Sequence, residues 1–281
     1  NGVTDTYFAN DTANLSLCIA LSGAYTIGGG GSYTTFAAAV AALNCGGVSG
    51  PVVFNVLSGT YTEQFAIGNV QGTSATNTIT FDGGAGNASS RIVTFGGSAA
   101  NPHTFRMNGS QFINVRNLTI RSTDANNGWP LNIIDGQNIS VSNCNIEIGG
   151  TGATSTSSNL GAVVLNGSTT SISASSGANA NIYIDSNYIR GGYYGIQSYG
   201  TSNTTTYANI LYMRYNRIDS AYQYGVQFYF NTVKILSNFI NMRFNGSSTS
   251  AGVFCQQQTN SSYPLFCDIS GNTVFNAGQF G

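Results

Sequence analysis

The strongest constraint on this chain is a short motif that recurs along it: an apolar residue, any residue, an apolar residue, two turn residues, Asn, any residue and an apolar residue. Clear copies begin at Ile182, Leu211, Val233 and Cys267, and looser copies begin at Ile113 and Ile139. Equivalent apolar positions lie between 22 residues (Met213 to Ile235) and 43 residues (Val141 to Ile184) apart. A solenoid accounts for both features, because each coil buries its apolar residues against its neighbours while loops of any length leave at the corners.

Coils of this length with two or three short strands each predict an all-β chain folded as a parallel β-helix. Side chains alternate inward and outward along each strand, and the recurring Asn falls at a bend. Asparagines stacked at one bend can bond to each other or to local backbone. The sequence therefore predicts a structural Asn ladder formed by Asn187, Asn216, Asn238 and Asn272.

One segment favours a helix, from Thr34 to Leu43, because it is rich in Ala and places apolar residues at helical spacing. Ser32 or Thr34 is the expected N-cap, and the Asn44-to-Gly47 stretch is the expected end. We predict a single domain over 1–281, with an N-terminal extension and capping helix over 1–50. Coils then occupy 51–281, with a long loop insertion at about 151–180 that contains one strand.

Charge is scarce, with 9 basic and 10 acidic residues and a net charge of −1. This balance argues against a nucleic-acid partner, and no run of apolar residues is long enough to span a membrane. Stacking the coils also predicts two columns of outward residues in which charges of opposite sign are neighbours. They are Arg121, Glu147, Arg190 and Asp219, and Arg116, Ser142, Asp185 and Arg214.

The five cysteines and single histidine limit the chemistry further. Two disulfides are expected, Cys18 with Cys45 and Cys255 with Cys267, leaving Cys144 as a buried thiol in an apolar run. Two such bridges favour an oxidising, extracellular location. His103 has no second His or nearby Cys, so we interpret it as a turn residue and expect neither a metal site nor a cofactor.

The N-terminal region resembles the opening of pectate-lyase-like right-handed β-helix proteins. The likeness rests on the Tyr25-Thr-Ile-Gly segment, the Ala-rich helix and the stretch from Pro51 through Gly59-Thr-Tyr61-Thr-Glu63. This resemblance implies a right-handed solenoid with a helix over its first coil, and a structural role for Glu63. The continuation from Ala75 to Gly83 is similar to the form found in large secreted surface proteins of Bacteroidota, which are typically exported by the type IX system.

The catalytic motifs of that superfamily are not matched. The strand Val115–Ser122 is similar to one of pectin methylesterases, but the segments that should carry the two catalytic carboxylates, 148–152 and 190–195, contain neither Asp nor Glu. The sole Trp, Trp129, is outside any pectate-lyase pattern. We therefore predict no catalytic residues and lean against an enzyme.

Tyrosine is concentrated beyond what folding requires, in a set that we expect to form an outward aromatic strip. The strip would bind a sugar or a protein surface, or be covered by loops. Its members are Tyr183, Tyr188, Tyr193, Tyr194, Tyr199, Tyr207, Tyr212, Tyr215, Tyr222, Tyr224 and Tyr229.

The favoured function is a non-enzymatic structural or adhesive module of a secreted cell-surface protein or filament. Its expected partners are polysaccharides or other surface-protein subunits, with end-to-end stacking at an uncapped C-terminus, as part of a longer chain or assembly. The alternatives are a glycan-binding module that uses the tyrosine strip and a polysaccharide-active enzyme. The enzyme would place its site near Arg190, Arg214 and Arg217 and use a tyrosine as base.

Overall fold

The structure, a computed structural model, describes residues 18–176, 178–200, 210–243, 249–256 and 266–278. Its strands form three parallel sheets. Sheet 1 contains β1 (Leu21–Ile27), β2 (Val48–Val56), β5 (Ile79–Asp82), β8 (Ile113–Arg116), β11 (Gln137–Ser142), β14 (Ala180–Asp185), β17 (Ile210–Arg214), β20 (Thr232–Leu236) and β23 (Cys267–Ser270). Sheet 2 contains β3 (Gly59–Thr62), β6 (Arg91–Phe95), β9 (Thr119–Ser122), β12 (Asn145–Ile148), β15 (Tyr188–Arg190), β18 (Arg217–Asp219), β21 (Phe239–Asn241) and β24 (Thr273–Phe275). Sheet 3 contains β4 (Phe65–Ile67), β7 (His103–Asn108), β10 (Trp129–Ile134), β13 (Gly161–Asn166), β16 (Tyr194–Tyr199), β19 (Tyr224–Tyr229) and β22 (Ala251–Gln256).

The chain visits the three sheets in turn, so each circuit from sheet 1 through sheet 2 to sheet 3 is one coil. Neighbouring strands in every sheet come from successive coils. The predicted parallel β-helix is confirmed, and so is the register on which it was based. Val115, Val141 and Ile184 are paired across adjacent strands of sheet 1, and the same column continues through Met213, Ile235 and Ile269.

The predicted helix is present as α1 (Phe36–Gly46), which buries Phe36, Ala39, Val40 and Leu43 against the first coils. Its N-cap is Thr35, one residue later than Thr34, because the Thr35 side chain accepts a hydrogen bond from the Ala38 amide. The Glu63 carboxylate accepts two further bonds, from the Phe36 and Ala37 amides, both at 3.0 Å. A carboxylate at this position satisfies unpaired amides and complements the helix dipole.

A ladder of asparagine side chains runs along the turn between sheets 1 and 2. Within it, each Asn accepts a bond from the backbone amide of the preceding coil's equivalent residue: Oδ1 of Asn216 from Asn187, Oδ1 of Asn238 from Asn216, and Oδ1 of Asn272 from Asn238. Cys144 occupies the equivalent place one coil earlier, and its amide donates to Oδ1 of Asn187. The turn residue before each of these positions has positive φ, as at Asn143 (φ 52°) and Ser186 (φ 58°).

The cysteines follow the prediction in part. Cys18 and Cys45 form a disulfide, and Cys144 is a buried free thiol. The predicted Cys255–Cys267 bridge is wrong for this structure, where both are free. Burial raises the pKa of the Cys255 thiol, and burial together with Cys255 raises that of Cys267 to about 12. The two thiols are close enough to share a hydrogen bond.

Some of the predicted pairs of opposite charge form in the structure. Arg121 donates to Glu147 at 2.6 Å, and Arg214 contacts Asp185 at 2.5 Å. Asp219 lies beside Arg190 in register, but it is bound instead by Arg217 of its own strand, at 2.7 Å.

Candidate functional site

The outer face of sheet 3 carries the densest group of polar and aromatic side chains that no backbone pairing requires. It is built by a repeated hexapeptide, Tyr194-Gly-Ile-Gln-Ser-Tyr199 in β16 and Tyr224-Gly-Val-Gln-Phe-Tyr229 in β19. Parallel pairing aligns the two copies residue by residue. Each strand therefore presents a tyrosine at both ends and a glutamine in the middle, and we call this surface the Tyr–Gln face.

The side chains of the Tyr–Gln face support one another across the two coils. The rings of Tyr194 and Tyr224 are stacked with centroids 5.9 Å apart, and those of Tyr199 and Tyr229 with centroids 4.2 Å apart. Between them, Nε2 of Gln197 donates to Oε1 of Gln227 at 3.3 Å, and Nε2 of Gln227 bonds to the Tyr229 hydroxyl at 3.1 Å. The result is a rigid, uncharged surface of phenols over buried amides.

One acceptor in this face is unsatisfied. The side chain of Gln197 is fully buried, and its Oε1 has no hydrogen-bond partner among the described residues. A buried amide oxygen without a donor carries an energetic cost within the face.

The phenols of the face are hydrogen-bond donors rather than bases. Burial raises the pKa of Tyr194, with further raising by neighbouring tyrosines. Burial also raises the pKa of Tyr229, together with its bond to Tyr199. Both groups therefore remain protonated at neutral pH.

The first half of the outer face of sheet 3 is closed by the segment 167–176. There, Nε of Arg106 donates to Oδ1 of Asn132 at 2.8 Å, and Nη2 of Arg106 donates to the Thr169 carbonyl at 2.7 Å. Burial lowers the pKa of Arg106 to about 10. His103 lies on the same strand, where burial, with a smaller effect of Arg106, lowers its pKa to about 3. Its Nδ1 is buried without a partner among the described residues.

The predicted single strip of tyrosines is wrong, because every coil runs through three sheets and distributes its tyrosines over different faces. Tyr183 and Tyr212 are on sheet 1, Tyr188 is on sheet 2, and Tyr215 is in the turn between these sheets. Tyr193 and Tyr222 lie at the corner before sheet 3, and Tyr194, Tyr199, Tyr224 and Tyr229 lie on sheet 3 itself. Tyr207 falls outside the described residues.

Many of the ring faces are already occupied within the protein. Tyr183 and Tyr212 stack at 4.6 Å with an interplanar angle of 6°, and Arg214 lies over both rings. At the corner, the guanidinium of Arg243 lies 4.7 Å from the Tyr222 ring centroid and donates to the Ser155 carbonyl at 2.8 Å. These tyrosines therefore join successive coils, which leaves few free ring faces for a ligand.

The three arginines of the enzymatic alternative are not brought together in one site. Arg214 lies on sheet 1, where it pairs with Asp185, while Arg190 and Arg217 lie on sheet 2.

The carboxylates, too, are engaged in hydrogen bonds within the fold. Every Asp and Glu in the described residues has a hydrogen-bond partner of its own, and no group of three or more His, Cys, Asp and Glu there could hold a metal ion. The pairs are as follows: Glu63 with amides of α1; Asp82 with Arg116 and Asn117; Asp124 with the amides of Asn126 and Asn127; Asp135 with Ser176; Glu147 with Arg121; Asp185 with Arg214; Asp219 with Arg217; and Asp268 with Ser270.

The hexapeptide that builds the Tyr–Gln face was not predicted from the sequence. The exact repetition of Tyr, Gln and Tyr at matching places was the available signal. The glycines have their own explanation: a Cβ on Gly195 would lie 2.6 Å from Ile218, and one on Gly225 would lie 2.6 Å from the Gly252 carbonyl.

The fold places this chain in the class of parallel β-helix proteins. No model of a known protein family matches the sequence, and no curated protein matches it. Among solved structures, it is similar to the structure of rice weevil pectin methyl esterase, with a TM-score of 0.52 and 15% identity over 97% of this chain and 93% of that one. A likeness at this identity shows the pectate-lyase-like β-helix fold and nothing of the chemistry.

Proposed function

We propose that this chain is a non-enzymatic structural and adhesive β-helix module of a secreted cell-surface protein. The observation that carries the proposal is that every described carboxylate already has a structural hydrogen-bond partner. A glycosidase or lyase needs carboxylates or a base with a pKa shifted for proton transfer. Here the carboxylates join coils or cap turns, and the tyrosines of the Tyr–Gln face are held protonated.

The location outside the cell is supported by the Cys18–Cys45 disulfide, because such bonds persist in oxidising compartments. No helix in the described part of the chain is long and apolar enough to cross a membrane. The N-terminal resemblance to secreted surface proteins of Bacteroidota agrees with this location.

The Tyr–Gln face is the contact surface of the proposed module. Aromatic rings with a polar tip combine a large apolar area with a hydrogen-bonding group, which is why tyrosine is enriched at interfaces. Tyr199 and Tyr229 are half-buried and belong to one stacked pair. A partner on this face would meet an uncharged surface, so its binding should depend little on salt.

A turnover assay tests the non-enzymatic half of the proposal. The purified chain is incubated with methyl-esterified pectin, polygalacturonate and alginate, while methanol release and unsaturated uronate are followed, with a commercial esterase and lyase as positive controls. We expect neither product above the background of boiled protein. Turnover of any of these polymers would instead support a polysaccharide-active enzyme, the function named for the structural neighbour.

The adhesive half is tested with the Tyr199→Ala/Tyr229→Ala double variant. Retention of the wild-type chain on cell-wall polysaccharide and on intact bacterial cells is compared with that of the variant. Tyr183→Ala/Tyr212→Ala is the matched control, because it removes an equally stacked pair from sheet 1. Loss of retention in the first variant alone supports the Tyr–Gln face, whereas equal retention in all three proteins contradicts it.

A further inference from the structure

A second surface feature, separate from the Tyr–Gln face, is a groove of about 570 Å³ along the turn between sheets 1 and 2. Its floor contains Asn143 and Asn145, its far end is formed by Ser186 and Tyr188, and its wall is the segment 85–89. None of the residues that line the groove is charged.

The wall of the groove is fixed in place by the coils beneath it. The Thr119 hydroxyl donates to the Ala88 carbonyl at 2.8 Å, and the Gly84 amide donates to Oδ1 of Asp82 at 2.7 Å. The same carboxylate oxygen accepts from Nδ2 of Asn117 at 2.8 Å. The groove is therefore preformed, as small-molecule sites usually are.

The floor offers hydrogen-bonding groups that the fold does not use. Asn143 is exposed, and its amide makes no hydrogen bond within the described residues. Its backbone takes the left-handed conformation (φ 52°) that forms the turn, which directs a short amide side chain outward. Asn145 also lines the groove, and among the described residues its side chain bonds only through Nδ2, toward the Thr119 hydroxyl at 3.3 Å, which leaves Oδ1 as an acceptor.

The end of the groove offers an aromatic ring with one occupied face. The guanidinium of Arg217, from the following coil, lies over the Tyr188 ring, 5.8 Å from its centroid. In the preceding coil the residue paired with Tyr188 is Asn145, whose side chain is short. The ring face on that side borders the groove, in contrast to the rings of Tyr183 and Tyr212, which cover each other.

An uncharged groove with amide and hydroxyl groups along its floor and an aromatic ring at its end matches the chemistry of a sugar. Amide donors and acceptors pair with hydroxyl groups, and the apolar C–H face of a pyranose ring packs on an aromatic ring. An acidic sugar would bring a carboxylate, but none of the lining residues is a cation. The nearby Arg217, over the far face of the Tyr188 ring, is already paired with Asp219 at 2.7 Å. We propose that this groove binds a neutral pyranose residue of a glycan, stacked on Tyr188 and hydrogen-bonded by Asn143 and Asn145.

The test is a binding measurement on the whole chain with immobilised neutral oligosaccharides of glucose, xylose, mannose and galactose, and with oligogalacturonate as the charged counterpart. We expect at least one neutral series to bind, and oligogalacturonate to bind at least 10-fold more weakly. Tyr188→Ala should weaken that binding by 10-fold or more, while Tyr188→Phe, which keeps the ring, should stay within 3-fold of wild type. Asn143→Gly removes the amide but keeps a residue suited to positive φ, and it should also weaken binding.

Circular dichroism melting accompanies each variant, so that loss of binding is separated from loss of fold. Tyr183→Ala is the matched control on sheet 1 and should bind like wild type. The proposal is overturned if the wild-type chain binds no neutral oligosaccharide at millimolar concentration, or if folded Tyr188→Ala binds as well as wild type. Because Tyr199 and Tyr229 are unchanged in these variants, failure here leaves the adhesive role of the Tyr–Gln face untouched.

Discussion

Nδ2 of Asn187 donates a hydrogen bond to Oδ1 of Asn216 in the next coil, at 3.1 Å, and Oδ1 of Asn216 also accepts from the backbone amide of Asn187 at 3.0 Å. One buried side chain thus satisfies both a neighbouring amide group and a backbone donor in another coil. Nδ2 of Asn216 in turn donates to the Ile184 carbonyl at 2.7 Å. Backbone bonds between the two coils continue on either side, from the Ser186 amide to the Arg214 carbonyl and from the Arg217 amide to the Asn187 carbonyl, both at 2.9 Å. The asparagine side chain supplies the partner for the Asn187 amide, which lies between them.

The first prediction concerns this ladder. Asn216→Ala leaves the Asn187 amide and the Ile184 carbonyl without partners in a buried site, and we expect it to lower the free energy of unfolding by about 2–4 kcal/mol. Denaturant unfolding followed by circular dichroism measures the change. Asn272→Ala is the matched control: Asn272 ends the ladder and is only half-buried, so its loss should be clearly smaller. Equal losses at both positions would contradict a role for burial.

A second prediction concerns pH. His103 is neutral in the fold, with its pKa lowered to about 3 by burial and by Arg106, against about 6.5 when unfolded. Above pH 6.5 both states are neutral and the group contributes nothing. Below it, only the unfolded state takes up the proton, so stability falls toward pH 3 with a slope of up to about 1.4 kcal/mol per pH unit.

The comparison of wild type with His103→Gln isolates this effect, since the carboxylates titrate in both proteins. We expect wild type to lose stability relative to the variant as pH falls from 6.5 to 4, measured by denaturant unfolding at each pH. In parallel, the imidazole NMR signal of the wild type should not titrate above pH 5. A midpoint near 6.5 would show that the ring is solvated.

The third prediction concerns the cap on the first coil. Glu63→Gln can keep only one of the two bonds from the Phe36 and Ala37 amides, because the side-chain nitrogen of Gln cannot accept a hydrogen bond. It also removes a charge that complements the dipole of α1. We expect a loss of about 1 kcal/mol in unfolding free energy, with a similar loss for Thr35→Ala. Asp268→Asn, a change to a half-buried carboxylate that accepts from the Ser270 hydroxyl away from any helix terminus, is the control and should be nearly neutral.

A fourth prediction concerns the close approach of sheet 2 to the glycines of sheet 3. Gly225→Ala adds a Cβ that would lie 2.6 Å from the Gly252 carbonyl and closer still to the Ile240 side chain. We expect it to destabilise the chain by about 1–3 kcal/mol through overpacking. Gly59→Ala is the control, because its nearest neighbours lie 3.7 Å away. Thermal melting of the two variants distinguishes them, and similar melting temperatures would contradict the close contact.

The fifth prediction concerns the disulfide at the N-terminal end. Reduction, or the Cys18→Ser/Cys45→Ser double variant, opens a loop with a sequence separation of 27 and should cost about 2–4 kcal/mol. Thermal melting with and without dithiothreitol measures it. Cys255→Ser/Cys267→Ser should melt like wild type and should keep the same response to dithiothreitol, because these thiols are not bridged. A lost response in that variant would mean that the second bridge forms.

Part of the fold could be predicted from the sequence, because the contacts between coils repeat at equivalent positions. The column from Val115 to Ile269 could be aligned from the alternation of apolar residues and the turn that recurs in each coil, and the pairing of Asp185 with Arg214 followed from the same register. The N-cap was misplaced by one residue, since Thr34 and Thr35 are adjacent and only the bond from the Ala38 amide selects Thr35.

The sequence by itself determined that the chain is a β-solenoid, because inward apolar residues and turn asparagines recur in every coil and need no distant information. The tertiary structure alone decided which face each tyrosine occupies, since that depends on where each coil bends and on which side chains of the next coil lie alongside. It put Tyr183 against Tyr212, left one face of Tyr188 beside a groove, and assembled the Tyr–Gln face from strands 30 residues apart. Local patterns specify what is buried, whereas a surface is formed by residues that only the stacking of coils brings together.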